Sequence, residues 1–226
     1  MPHLTLHVQG TDGHVTGTAV EVRQVLLAGY TGRDRRAVMA HVRELEALGV
    51  APPRRIPSVF VVNPWSVRVA DVIEASGPET SGEVEVVLIL RGEGLLVGVG
   101  SDHTDRACEA FDIDQAKRRC PKPVASVVWR HEDVADHWDE LELRSWMTDG
   151  VDRQLYQEGA LAELVPVDEL FDELRDIGFE PGRGTVVFGG SLATLGGLRF
   201  GQHFEIELRD PVLGRSISWG YRVSVP

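Results

Sequence analysis

Ser81-Gly82-Glu83-Val84-Glu85-Val86-Val87-Leu88-Ile89-Leu90 sets two glutamates two residues apart at the mouth of an apolar run. After Arg91-Gly92-Glu93-Gly94 comes a second apolar run, Leu95 to Val99, and then Gly100-Ser101-Asp102-His103-Thr104-Asp105-Arg106. In a strand, residues i and i+2 share a face, so Glu83 and Glu85 project together while Val84 and Val86 project the other way. The glycine-containing link reads as a hairpin turn that returns the chain beside its start, and Asp102 then lies near the level of the glutamates. Three carboxylates held close together repel one another, and a cation between them relieves the repulsion. Oxygen-only ligands suit magnesium, manganese or calcium better than zinc. An isolated Glu-x-Glu is ordinarily the solvated face of a half-exposed strand. Here the fully apolar segment behind the pair and the Gly-Ser-Asp turn after it favour a metal wall of Glu83, Glu85 and Asp102.

At 226 residues the chain is long enough for one good core. We expect an N-terminal part, 1–55, of strands and a helix that belongs to the same unit as a β-rich core over 56–226. A formal charge of −12 leaves no basic excess to hold a polyanion, which argues against nucleic acid as a partner. Arg91 and Glu93 interrupt the longest apolar stretch before it reaches a membrane span, and the N-terminus has no signal-peptide pattern, so the expectation is a cytoplasmic protein away from membranes. Cys108 and Cys120 have no metal-type spacing and read as reduced thiols. Of the 23 basic residues only Lys117 and Lys122 are lysines. In a chain that otherwise uses arginine, such positions are candidates for a required ammonium, a compact charge that shifts its pKa readily.

Leu4 to Val8 reads as a first strand, and a second apolar stretch runs from Ala19 to Leu27. The clearest helix spans Arg33 to Leu48, with Thr31 and Asp34 resembling a capping box and Gly49 and Pro52-Pro53 as its stop. Val38, Val42, Leu45 and Leu48 form its apolar stripe. His41 falls inside that arc and Glu44 at its border, one turn on. The bland reading is a core-edge histidine satisfied by its neighbour; the functional one is a general base oriented by a carboxylate.

Further on, Val59 to Val62 reads as a strand broken by Pro64-Trp65, with Val67 to Ile73 continuing it. Arg106 to Arg118 reads as a short helix or lid-like loop. A hairpin is expected around Asp149-Gly150, and an amphipathic helix over Val167 to Ile177 with Leu170, Phe171, Leu174 and Ile177 on one side. Phe188 to Gly197 is glycine-rich and suited to bringing backbone amides near a ligand, without the Lys-Ser/Thr of a phosphate loop. Two alternating strands, Phe204 to Leu208 and Ile217 to Val223, close the chain.

In this order the pieces resemble the fumarylacetoacetate hydrolase superfamily. His41-Val42-Arg43-Glu44-Leu45 followed by Pro57-Ser58-Val59-Phe60 resembles its His-x-x-Glu helix and the succeeding Pro-x-x-Phe. Glu83-Val84-Glu85 resembles its paired metal glutamates, and Asp102 with Arg106 its Asn-Asp-x-x-Ala-Arg-Asp turn. Lys117 with Cys120-Pro121 resembles its Lys-Ser-Phe segment, and Gly190-Ser191 its terminal Gly-Thr loop. The resemblance covers about residues 29–226, and several phrases further resemble a prokaryotic branch of unassigned function. Ser191 replaces the usual Thr, Gly100-Ser101 replaces the usual residue and Asn, and the segment from Asp102 to Lys117 is shorter than in most members.

The resemblance implies an α+β fold, a mixed β-roll or barrel core with a few peripheral helices. It also implies a metal-dependent enzyme acting on a 2-oxo or β-diketo acid, which hydrolyses or decarboxylates at a carbon beside a carbonyl. Glu83, Glu85 and Asp102 would hold Mg2+ or Mn2+, with Ca2+ the third candidate. Lys117 would stabilise an oxyanion, and His41 oriented by Glu44 would move a proton. Arg33, Arg106, Gly190 and Ser191 would meet a small anionic substrate, and the protein would be a homodimer. Two other readings stand beside it: an inactive relative that binds a small molecule, and glycoside chemistry with Glu83 and Glu85 about 7 Å apart on one strand.

Overall fold

The computed structural model describes residues 1–47 and 52–225. The chain opens with β1 (His3–Gln9), β2 (Val15–Glu21), β3 (Gln24–Gly29), α1 (Arg35–Ala47) and β4 (Ser58–Val62). Short strands β5 (Val67–Arg68), β6 (Val72–Glu74) and β7 (Thr80–Ser81) lead into the hairpin of β8 (Val84–Arg91) and β9 (Gly94–Ser101). Next come β10 (Thr104–Asp105), the short helices α2 (Arg106–Glu109) and α3 (Ile113–Arg119), β11 (Lys122–Pro123) and β12 (Val127–Arg130). The remainder is β13 (Glu142–Asp149), β14 (Asp152–Ala160), α4 (Val167–Asp176), β15 (Thr185–Ser191), β16 (His203–Asp210) and β17 (Arg215–Ser224). This is the expected α+β class with a curled, mixed β core.

An eight-stranded sheet runs in the order β2-β1-β12-β9-β8-β15-β3-β4, and a five-stranded sheet in the order β14-β13-β16-β17-β6. The hairpin of β8 and β9 lies at the centre of the larger sheet, where both faces are buried, and this is why its sequence is nearly continuously apolar. Val84, Val86, Leu88, Val97 and Val99 pack with Leu143, Ile206, Leu208 and the α4 residues Leu170 and Leu174. On the other face Val87, Ile89 and Leu96 share a cluster with Leu4, Leu6 and Val8 of β1, so the sheet curls until distant strands meet. Each such fully buried aliphatic side chain contributes roughly 1.5–3 kcal/mol.

The hairpin has the expected register: Arg91 pairs with Gly94, and Glu85 faces Gly100. Asp102 is held level with the glutamates by its N–H, which donates to the Glu83 carbonyl at 2.9 Å. Gly100 has to be glycine, because a Cβ there would lie 2.7 Å from Val87 and 2.9 Å from Phe188.

Several expectations change. The stretch Ala19 to Leu27 is divided between β2 and β3, because the Val22 N–H leaves the ladder to donate to the Pro2 carbonyl at 2.9 Å and that of Arg23 to Gly184 at 2.8 Å. Helix α1 is capped by Asp34, whose carboxylate accepts from the N–H groups of Arg36 and Ala37. Thr31 is drawn elsewhere; its hydroxyl donates to the Gly189 carbonyl at 2.9 Å. Leu48 and Gly49 lie outside the described residues, and so do the side chains of His41, Glu44 and Leu45. The segment after Asp105 forms two short helices, capped by Asp105 and Asp112. Phe188 to Ser191 is the end of central strand β15, wedged between β3 and β8, since its small residues allow the neighbouring strands to pack closely.

Gly82, just before the first glutamate, sits against the end of the five-stranded sheet. A Cβ at this position would collide with the Tyr221 hydroxyl and lie 2.7 Å from Ser101 Oγ. Gly82→Ala is expected to destabilise the protein by about 1–3 kcal/mol through overpacking, measured by urea denaturation.

Candidate active site

Glu83 precedes β8, Glu85 lies within it, and Asp102 follows β9, so the hairpin delivers all three carboxylates to one place. One carboxylate oxygen from each lies within 4.8 Å of the others. Asp102 and Glu85 are buried, while Glu83 is the partly exposed member and marks the mouth of the site. The approach within 4.8 Å is closer than the 7 Å expected from strand spacing. It is also below the roughly 6.5–9.5 Å an inverting glycosidase needs for its water, so the pair does not have the inverting spacing.

Helix α3 and strand β11 bring up the cations. The ammonium of Lys117 contacts Asp102 Oδ2 and lies 3.6 Å from Glu83 Oε2. Lys122 approaches the same carboxylate from beneath, 2.7 Å from Oδ1, and also donates to the His103 carbonyl at 2.6 Å. Arg106, at the start of α2, spans Glu83 at 3.1 Å, Glu109 at 2.7 Å and Ser81 Oγ at 2.7 Å. The two lysines of the chain therefore meet on one aspartate.

These partners set the protonation equilibria. Burial alone would raise the Asp102 carboxyl, but Lys117 and Lys122 override it and hold the group far below the usual range. Glu83 is likewise lowered, as Arg106 and Lys117 outweigh burial. Glu85 is pushed well above the carboxylate range by burial and by the Asp102 charge beside it. Lys117 is raised because Asp102, Glu83 and Glu85 outweigh its burial, whereas burial wins at Lys122 and lowers it. Glu85 thus carries the repulsion that a cation would relieve.

A polar support lies behind the carboxylates. The Gly190 N–H donates to Glu85 Oε2 at 2.8 Å. Gln157 on β14 is fully buried and fully satisfied: its carbonyl oxygen accepts from the Val84 N–H and the Ser145 hydroxyl, and its amide donates to Ser191 Oγ and the Leu192 carbonyl. Ser191 Oγ donates onward to the Val84 carbonyl at 3.0 Å. Beside Asp102, His103 is held between Thr80 and Tyr221, and the Tyr221 hydroxyl also bonds Ser101. Burial and the nearby Lys122 bring the His103 imidazolium down to about 3, so it serves as a neutral ring.

The hairpin, α2, α3 and β15 bring Glu83, Glu85, Asp102, Lys117, Arg106 and Gly190 together, with Ser191 linked through Gln157. Arg33 is elsewhere engaged, forking onto Asp139 at 2.6 and 2.7 Å and donating to the Leu164 carbonyl. The side chains of His41 and Glu44 fall outside the described residues. Gln157 and Tyr221 carried no local sequence signal; that of Thr31 pointed to a helix cap, and Lys122 had one, the scarcity of lysine. A surface groove lined by Glu79, Asp105, Cys108, Phe111 and Arg119 contains none of the three acids.

A family described as "Protein of unknown function (DUF2848)" matches residues 28–221. The chain belongs to that family. No curated protein matches it by sequence. Among solved structures, it is similar to a candidate fumarylacetoacetate isomerase/hydrolase from Oleispira antarctica at 18% identity, covering 99% of this chain and 100% of the other with a TM-score of 0.68. A candidate fumarylpyruvate hydrolase from Burkholderia cenocepacia matches at 18% identity over 98% of this chain and 91% of its own, with a TM-score of 0.67. The apo form of 2-keto-3-deoxy-D-arabinonate dehydratase matches at 14% identity over 95% and 86%, with a TM-score of 0.64. This DUF2848 chain therefore has the fold of fumarylacetoacetate hydrolase proteins. Among its described residues no helix is long and apolar enough to cross a membrane.

Replacing Gln157 by Leu strands the Val84 N–H, the Leu192 carbonyl and the Ser145 hydroxyl in the interior. The expected loss is at least about 2 kcal/mol of stability, read from the denaturation midpoint.

Proposed function

We propose that this protein is a divalent-metal-dependent hydrolase or lyase acting on a small 2-oxo or β-diketo acid. The observation that carries the reading is the convergence of Glu83, Glu85 and Asp102, with oxygens within 4.8 Å, beside the Lys117 ammonium. Hard, anionic oxygen donors at that spacing fit Mg2+ or Mn2+. When bound, such an ion supplies Lewis-acid stabilisation of the enolate that forms as a bond beside a carbonyl breaks.

The chain's own groups supply the rest. Lys117 holds a positive charge at the edge of the acids, where an oxyanion develops, and being buried and paired it needs no reorganisation there. Arg106 fixes Glu83, and the Gly190 N–H fixes Glu85. Ser191, bonded to Val84 and Gln157, shapes the adjoining wall. His41 is the proposed proton carrier and Glu44 its orienting acid, on the strength of the His-x-x-Glu motif. Arg33 is forked onto Asp139, and Arg106 is itself held by Glu83, Glu109 and Ser81, so the proposed role of Arg106 toward a substrate carboxylate rests on its place beside the acids. The keto acids in the names of the fumarylpyruvate hydrolase and the arabinonate dehydratase support the substrate class. The same reading carries a small anionic substrate and a homodimer.

Titration with Mn2+ tests the metal: Glu83→Ala is expected to bind roughly ten-fold or more weakly than wild type, and equal weak binding by both overturns it. A screen of 2-oxo and β-diketo acids with Mg2+ and Mn2+, read by loss of enol absorbance, tests the chemistry. Lys117→Met and His41→Ala should each lower turnover by about 100-fold or more. Absence of turnover across the screen removes the enzyme reading.

A further inference from the structure

The turn end of the central hairpin lies away from the acids. Arg91, the last residue of β8, is roughly 20 Å along the strand from Glu85. At this end the link from β2 to β3, the β8–β9 turn and the start of β15 come together. The Arg23 N–H donates to the Gly184 carbonyl at 2.8 Å, and the Gly184 N–H donates to the Leu90 carbonyl at 2.8 Å. Between these segments lies a cavity of about 350 Å³ whose walls carry Arg23, Arg91 and Arg183 together with Glu21 and Glu93.

The three arginines reach the cavity for definite reasons. Arg91 follows Val87 and Ile89 on the face of β8 that packs with Leu4, Val20 and Val25, so its side chain stands where that apolar interior ends. Its Nε is buried and has no hydrogen-bond partner among the described residues. Buried donors are ordinarily paired, and one left open marks a place for an ion or water. Arg183 lies across Gly92, with Cδ, Nε and Cζ each 3.8 Å from where a Cβ would stand. The stem of Arg23 presses on Gly184, its Cγ and Cδ 3.0 and 3.2 Å from the place of a Cβ. Two glycines thus leave room for arginines along the wall.

The neighbouring acids do not cancel this charge. Arg23 pairs with Glu21 at 3.0 Å, but Arg91 is 3.7 Å from a Glu93 side chain that is 86% exposed, and Arg183 has no ion pair among the described residues. Long, exposed pairs hold little. The cavity therefore keeps a net positive charge in a chain whose formal charge is −12.

We propose that this cavity is a second ligand site and that it binds a phosphate group, free or at the end of a small phosphorylated metabolite. Guanidinium forks recognise phosphate through paired, charge-assisted hydrogen bonds. A phosphate presents its oxygens in tetrahedral directions and takes forks from several sides at once, whereas a carboxylate offers two oxygens in one plane. The volume leaves space for more than the phosphate itself. The site needs no metal and does not depend on the chemistry proposed at the acids.

Calorimetric titration of the whole chain in EDTA at low ionic strength tests it, with inorganic phosphate, glycerol 3-phosphate and acetate as probes. Phosphate is expected to bind saturably at one site, about ten-fold or more tightly than acetate, and Arg91→Gln and Arg183→Gln each to weaken it by about ten-fold or more. Melts followed by circular dichroism check the half-buried Arg91 variant; Arg183 is exposed, and its variant decides the matter alone if Arg91→Gln does not fold. Tighter binding of glycerol 3-phosphate than of phosphate supports the site with a phosphorylated metabolite as its ligand, and equal or weaker binding supports it with free phosphate. Absence of saturable phosphate binding, acetate binding as tight as phosphate, or unchanged affinity in Arg183→Gln overturns the inference.

Discussion

Asp102 is almost completely buried at the end of the central hairpin, and its charge is tolerable there only because an ammonium stands on each of its oxygens. Lone burial of a carboxylate is costly enough that it would take up a proton instead. The two lysines reverse that tendency, and in doing so they fix the position of α3, which carries Lys117, and of β11, which carries Lys122. Removing one partner of such a buried group typically costs about 3–5 kcal/mol. The segment from Thr104 to Pro123 has few long elements of its own, so these contacts with Asp102 are a principal reason for its path.

The same constraint ties the site to the fold as a whole. Asp102 reaches its level through the N–H bond to Glu83, and Glu85 is steadied by the Gly190 N–H on the neighbouring strand. Gln157 then joins β8, β13 and β15 in one saturated knot, which positions the backbone on both sides of Glu83 and Glu85. On the far side, the neutral His103 ring and the Tyr221 hydroxyl link the Asp102 turn to β17 of the smaller sheet. The two sheets thus meet through hydrogen bonds at the site as well as through aliphatic packing. A buried polar network of this kind fixes one geometry because each partly satisfied alternative leaves a group without a partner.

Periodicity explains which parts of the architecture were legible. The β8–β9 hairpin, the apolar stripe of α4 and the closing strands β16 and β17 each bury a face whose repeat is written in consecutive residues, and each was found where the pattern put it. Thr31 looked like a helix cap because its type and spacing suited one. The structure gives its hydroxyl to Gly189, 158 residues away, and leaves the cap to Asp34. The glycines before Ser191 looked like a loop because glycine disfavours strands, but between β3 and β8 they allow close packing that larger residues would block.

The sequence by itself determined the hairpin and the grouping of Glu83, Glu85 and Asp102, because strand alternation and a short turn place those acids together with no help from distant residues, and its resemblance to a known superfamily carried the fold class. It also marked Lys117 and Lys122 as unusual, through the preference for arginine everywhere else. Only the tertiary structure decided that both lysines stand on one carboxylate, that Arg33 is taken up by Asp139, and that Gln157 holds the strands under the site. Those partners lie far apart along the chain or on separate elements. Their meeting depends on how the sheet curls and on which buried charge lacks a counter-charge, and no local pattern of residues records either.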